Sequence, residues 1–124
     1  MANAVTHFEI HGRDGKKAQD FYASLFGWKI DADNPMNYGI VSRDENVNSE
    51  GIGIGGGVGA MPEGAPGHVT IYVEVPDVEA SLAKAESLGG TRLMGPDQVP
   101  GGPEIGLFLD PEGHTVGVVK TASM

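Results

Sequence analysis

The chain contains no cysteine among its 124 residues. Disulfides, thiolate zinc sites and thiol nucleophiles are therefore excluded. The absence suits a cytoplasmic protein, and a cytoplasmic location is the expectation. Positive charge is also scarce. Eight Lys and Arg stand against 17 Asp and Glu, for a formal net charge of −9. Such a field repels phosphate backbones, so no nucleic-acid partner is expected. No segment approaches about 18 apolar residues, and the first residues lack a charged head followed by an apolar run. The expectation is a soluble chain with no membrane partner and no standard export signal. No Ser-His-Asp arrangement stands out, because His114 comes just after a surface turn.

Glycine, in contrast, is abundant at 20 residues and carries positional meaning. The organising stretch is VTHFEIHGRDGKKAQDFYASLFGW at 5–28, one strand, a turn and an amphipathic helix. It returns at 68–91 as HVTIYVEVPDVEASLAKAESLGGT. Aligning Asp14 with Asp77 also brings Gly27 onto Gly90. The length fits a single domain whose core needs no staple. Residues 1–124 are read as one domain of two modules, 1–60 and 68–124, joined by a Pro- and Gly-rich linker at 61–67.

Residues 5–11 alternate with period 2. Thr6, Phe8 and Ile10 share the face expected to pack on a helix, and Val5, His7, Glu9 and His11 share the other. Asp14 is placed to cap a helix whose apolar face is Ala18, Phe21, Tyr22, Leu25 and Phe26, ended by Gly27 in a left-handed conformation. Tyr38 to Ser42 is a short strand, Arg43 to Glu50 a polar mobile loop, and GIGIGGGVG at 51–59 a glycine-rich strand. Such glycines mark a place where something approaches the backbone closely or the sheet bends.

In the second module Val69, Ile71, Val73 and Val75 are expected inward, with His68, Thr70, Tyr72 and Glu74 opposite. A helix opening at Pro76-Asp77 should bury Val78, Leu82, Ala85 and Leu88 and stop at Gly89-Gly90. Arg92 to Met94 reads as extended, 95–103 as a loop, 104–109 as a strand and 114–120 as the last strand.

The fold expectation is α+β: two βαβββ modules forming an open, cup-shaped mixed sheet with the helices outside. The polar strand faces then line the cup. The repeat matches His7 with Thr70, Glu9 with Tyr72 and His11 with Glu74. The candidate ligand-binding residues are His7, Glu9, His68, Thr70 and Tyr72, with Trp28 and Tyr38 on strands that reach either the cup or a subunit interface. Glu9, Glu74 and Glu104 are weighed as general bases against the plainer reading of solvated strand carboxylates. Gly51, Gly53 and Gly56 satisfy G-x-G-x-x-G, but no helix comes next to receive a phosphate, so a dinucleotide site is not expected.

The pieces HFEI at 7–10, DFYASLFGW at 20–28, YVEVPDVEASLAKAESLGG at 72–90 and LFLDPEGHTVGVV at 107–119 resemble the vicinal oxygen chelate superfamily of glyoxalases, bleomycin-resistance proteins and dioxygenases. That resemblance implies four metal ligands, one from the first and one from the last strand of each module. His7 matches the first position, while Thr70 and Gly117 stand at two of the others and the remaining one falls near Gly55. His68 is one pleat from Thr70, about 7 Å by strand rise. Residues 51–61 hold no carboxylate. The expectation is therefore a cup that binds a small molecule without the family metal. If a divalent metal is present, His7 and His68 hold it, with Glu9 a third donor if it points inward beside His7. Three functions are carried forward: small-molecule binding of the bleomycin-resistance type, a metal-dependent lyase or isomerase of the glyoxalase type, and a non-catalytic interaction module. The resemblance also implies a homodimer, for which exposed sheet edges give a physical motive.

Overall fold

The computed structural model describes residues 2–62 and 64–121. The described chain divides into two compact units, one of Thr6–Val69 and one of Thr70 onward together with the residues up to Val5. The fold is α+β, and the same βαβββ string occurs twice.

The first string is β1 (Val5–Gly12), α1 (Gly15–Phe26), β2 (Ile30–Asp31), β3 (Gly39–Val41) and β4 (Gly55–Ala60). Its strands lie in the order β2-β3-β4-β1, with β1 and β4 parallel and the other pairs antiparallel. The second string is β5 (His68–Val75), α2 (Val78–Ser87), β6 (Thr91–Gln98), β7 (Glu104–Leu109) and β8 (Thr115–Lys120). It repeats the arrangement as β5-β8-β7-β6, with β5 and β8 parallel.

The caps explain where the helices start. Asp14 accepts a hydrogen bond from the Lys17 N–H at 3.0 Å, and Asp77 accepts one from Ala80 at 2.9 Å. Each satisfies a donor that the first helical turn leaves unpaired, worth about 1 kcal/mol. Gly27 ends α1 at φ 72°, as expected. The repeat slips by one residue at the end of α2. Gly89 takes the left-handed conformation at φ 101°, and Gly90 instead donates its N–H to the Ala85 carbonyl at 2.8 Å.

The core of the second module is Val75, Val78, Leu82 and Val118, backed by Val73 and Phe108. Gly106 lets α2 sit this close, since a Cβ there would come within 2.8 Å of Leu82. Leu88, expected in the buried stripe, is 70% exposed, because it lies beyond the last helical turn. Val69 and Ile71 are exposed as well, whereas Thr70 and Tyr72 are buried. Val75, at the end of β5, packs with Val78 and Leu82 of α2, and Val73 lies against that cluster. Strand β6 runs on to Gln98, with register shifts, where a loop was expected.

The first module departs further from its pattern. Phe21, Leu25 and Phe26 are each more than half exposed, and the buried residue of α1 is Gln19. The glycine strand is the reason. It offers α1 backbone rather than side chains, and Gln19 answers by donating to the Val58 carbonyl at 2.8 Å and the Asn37 carbonyl at 3.0 Å. The aromatics pack sideways on one another, with Trp28 at 5.2 Å from Phe26 and 5.7 Å from Tyr22. The glycine-rich strand begins at Gly55, later than expected. Within the 43–50 segment, a 3-10 turn at Arg43–Glu45 is tied down by Arg43 donating to the Gly51 and Gly53 carbonyls at 3.1 Å.

Candidate metal centre

Strand β1 presents His7, Glu9 and His11 on one face, as period 2 requires. Parallel pairing sets them beside Gly55, Gly57 and Gly59 of β4, which leaves space above that strand. Tyr38 fills it: a Cβ on Gly57 would overlap the hydroxyl end of the Tyr38 ring. Gly67 passes so close to β1 that a Cβ would lie 2.5 Å from the His11 carbonyl oxygen. That close approach delivers the next residue, His68, to Glu9.

Glu9 is the hub and is 7% exposed. Its Oε1 lies 2.9 Å from His68 Nε2, and its Oε2 lies 3.3 Å from the Tyr38 hydroxyl and 3.5 Å from His11 Nε2. The His11 and His68 rings stack at 5.3 Å. One ligand atom from each of Glu9, His11 and His68 can be chosen so that all lie within 4.8 Å of one another.

The Met61 sulfur, a thioether and so only an acceptor, lies 3.1 Å from His11 Nδ1. A proton on His11 Nδ1 points to that sulfur, and in that tautomer Nε2 is a bare lone pair. That buried atom makes no hydrogen bond and faces a carboxylate oxygen. Two lone-pair atoms held in this way repel unless a cation lies between them. Burial holds His11 below the ordinary histidine pKa; Glu9 opposes the shift and His68 adds to it. Burial thus disfavours charging His11, and the donor set suits a metal ion. Two imidazoles and a carboxylate are a common ligand set for zinc and its neighbours.

His7 is likewise held below its ordinary value, mainly by burial. Its Nε2 lies 2.9 Å from the Tyr38 hydroxyl. One expectation is corrected here. A Glu9, His11 and His68 cluster is present, which argues against the absence of a metal site. Glu9 reaches toward His11 and His68, while His7 lies against the Tyr38 hydroxyl. His11 was legible as a face-mate of His7 and Glu9. What the pattern lacked was the close pass of Gly67.

The remaining candidates have other neighbours. Thr70 donates its hydroxyl to the Thr115 carbonyl. Tyr72 covers Gly117, where a Cβ would come within 2.5 Å of its ring, so the position the resemblance gives to an acid is filled by tyrosine. Trp28 packs on Phe8 at 5.2 Å.

The doubled βαβββ scaffold thus carries a cluster of Glu9 and His11 from β1 with His68 from β5. The chain belongs to the Glyoxalase/Bleomycin resistance protein/Dioxygenase superfamily, whose family model matches residues 4–118. Proteins of Mycobacterium bovis and Mycobacterium tuberculosis named "Putative glyoxylase CFP32" are 31% identical over 115 residues, which is 89% of this chain and 42% of theirs. The chain thus spans about two fifths of the length of the curated relatives it matches. Among solved structures, Streptomyces coelicolor methylmalonyl-CoA epimerase in complex with 2-nitronate-propionyl-CoA superimposes with a TM-score of 0.67 at 18% identity, covering 99% of this chain and 100% of that one. A Legionella pneumophila structure titled NAD-dependent benzaldehyde dehydrogenase gives a TM-score of 0.64 at 15% identity, covering 94% and 98%. At such identities the likeness shows the fold alone.

Proposed function

We propose that Glu9, His11 and His68 hold a divalent metal ion, and that the chain is a metal-dependent lyase or isomerase of the glyoxalase type acting on a small molecule. The observation that carries this reading is the buried, unbonded His11 Nε2 facing Glu9 beside His68. A metal bound there would supply Lewis-acid polarisation of a substrate oxygen. The chain's own groups do the rest. Glu9 is held by neighbouring donors, the Met61 sulfur lies against His11 Nδ1, and the His7–Tyr38 pair offers a proton-carrying site next to the carboxylate. The names of the relatives, a glyoxylase and an epimerase, support the same class. A second copy of the chain is kept as its partner, and the exposed Phe21, Leu25 and Phe26 give an apolar surface that pairing could cover.

Elemental analysis of protein purified without a His tag and reconstituted with zinc, nickel or manganese tests the reading. About one ion per chain is expected, lost in Glu9→Gln and His68→Ala. A wild-type chain that retains no ion would refute it. The second reading is small-molecule binding without metal, favoured by Tyr72 standing over Gly117 in the place of an acid. A ligand-specific rise in melting temperature with no metal present would select it.

A further inference from the structure

We propose that Tyr38 is the positioning residue of this centre, its hydroxyl holding the Glu9 carboxylate in the orientation that faces both His11 and His68. The inference rests on the metal reading above. The hydroxyl lies 2.9 Å from His7 Nε2 and 3.3 Å from Glu9 Oε2. A hydroxyl has one proton and a carboxylate can only accept. The Tyr38 proton therefore goes to Glu9, and the Tyr38 oxygen accepts from His7 Nε2–H. His7, Tyr38 and Glu9 form a chain of donors that ends on the carboxylate.

Three separate parts of the first module hold the ring in place. Asn34 clamps the Tyr38 backbone from both sides, donating to its carbonyl at 2.7 Å and accepting from its N–H at 2.9 Å. Gln19, 6% exposed, donates to the carbonyls of Asn37 and Val58, tying the approach to Tyr38 onto β4. Gly57 clears the space the ring occupies, directly opposite Glu9 in the β1–β4 register. Asn37 adopts φ 51°, a left-handed conformation that a non-glycine residue holds only when its surroundings enforce it. The helix, the turn and the glycine strand thus converge on one side chain, and the atom they deliver to the carboxylate is its hydroxyl oxygen. Outer donors of this kind orient metal ligands, and their loss commonly weakens metal binding roughly 10–100-fold.

Tyr38→Phe keeps the ring and removes the hydroxyl. Zinc affinity, measured by competition with a chromophoric chelator, should fall roughly 10–100-fold, and the metal-free melting temperature should fall by a few degrees with the two lost hydroxyl contacts. In metal-free protein, imidazole proton–nitrogen correlation spectra should show His7 as the Nε2–H tautomer in the wild type and a changed tautomer balance in Tyr38→Phe. If that variant fails to fold, Asn34→Ala releases the clamp without touching the hydroxyl and should weaken zinc binding in the same direction. Unchanged zinc affinity in the variant, with a wild type that binds zinc, overturns the proposal. A wild type that takes up no zinc sinks the metal reading instead. The His7 tautomer then decides on Tyr38, and an unchanged spectrum in Tyr38→Phe overturns its role.

Discussion

Gly57→Ala should be among the most damaging single-methyl additions in this chain. The new Cβ would overlap the hydroxyl end of the Tyr38 ring, so the ring must move away. Overpacking of a buried site costs about 1–3 kcal/mol. Displacement also forfeits the hydroxyl contacts with His7 and Glu9, each worth roughly 0.5–1.5 kcal/mol net. Alanine returns about 0.4–1 kcal/mol by restricting the unfolded chain. The balance is a loss of about 1–6 kcal/mol, a large share of the roughly 5–15 kcal/mol a domain possesses. Urea denaturation reads this as a lower midpoint at unchanged slope. Two controls isolate the cause. Gly12→Ala, with nothing within 4 Å of its added Cβ, should stay within about 0.5 kcal/mol of wild type. In a Tyr38→Ala background the Gly57→Ala penalty should shrink by at least about 1 kcal/mol, because the clashing ring is gone. A neutral Gly57→Ala, or a full penalty without Tyr38, would refute the packing argument and with it the placement of the hydroxyl.

Burial and charge set two further outcomes. Leu82→Ala should cost about 2–5 kcal/mol in chemical denaturation, while Leu25→Ala, in the exposed stripe of α1, should cost under about 0.5 kcal/mol; equal losses would mean that α1 buries its apolar face after all. Because burial holds His7 and His11 below the ordinary value of 6.5, the unfolded chain binds more protons than the folded one at mildly acidic pH. Stability from this source is complete above about pH 6.5 and is lost as pH falls through and below that value. Thermal melts of metal-free protein from about pH 8 to about pH 5 should show the decline, and a flatter profile in His11→Gln; a melting temperature that rises as pH falls through about 6.5 would contradict the shifts.

The repeat, the caps and the element order were all readable before any coordinates, since each depends on residues close together in the chain. Asp14 and Asp77 cap α1 and α2 wherever those helices later dock, and period 2 sets His7, Glu9 and His11 on one face in any strand. Tertiary structure decided which faces were covered and which side chains met. A 3.6-residue stripe identified the apolar side of α1, yet burial needs a partner surface, and the glycine strand supplied backbone that Gln19 satisfies better than Phe21 or Leu25 could. The metal-type cluster needs His68, far along the chain from Glu9, and it forms because Gly67 carries no Cβ to hold the two segments apart. Periodicity encodes direction along one element, whereas distance between elements depends on what each surface leaves room for.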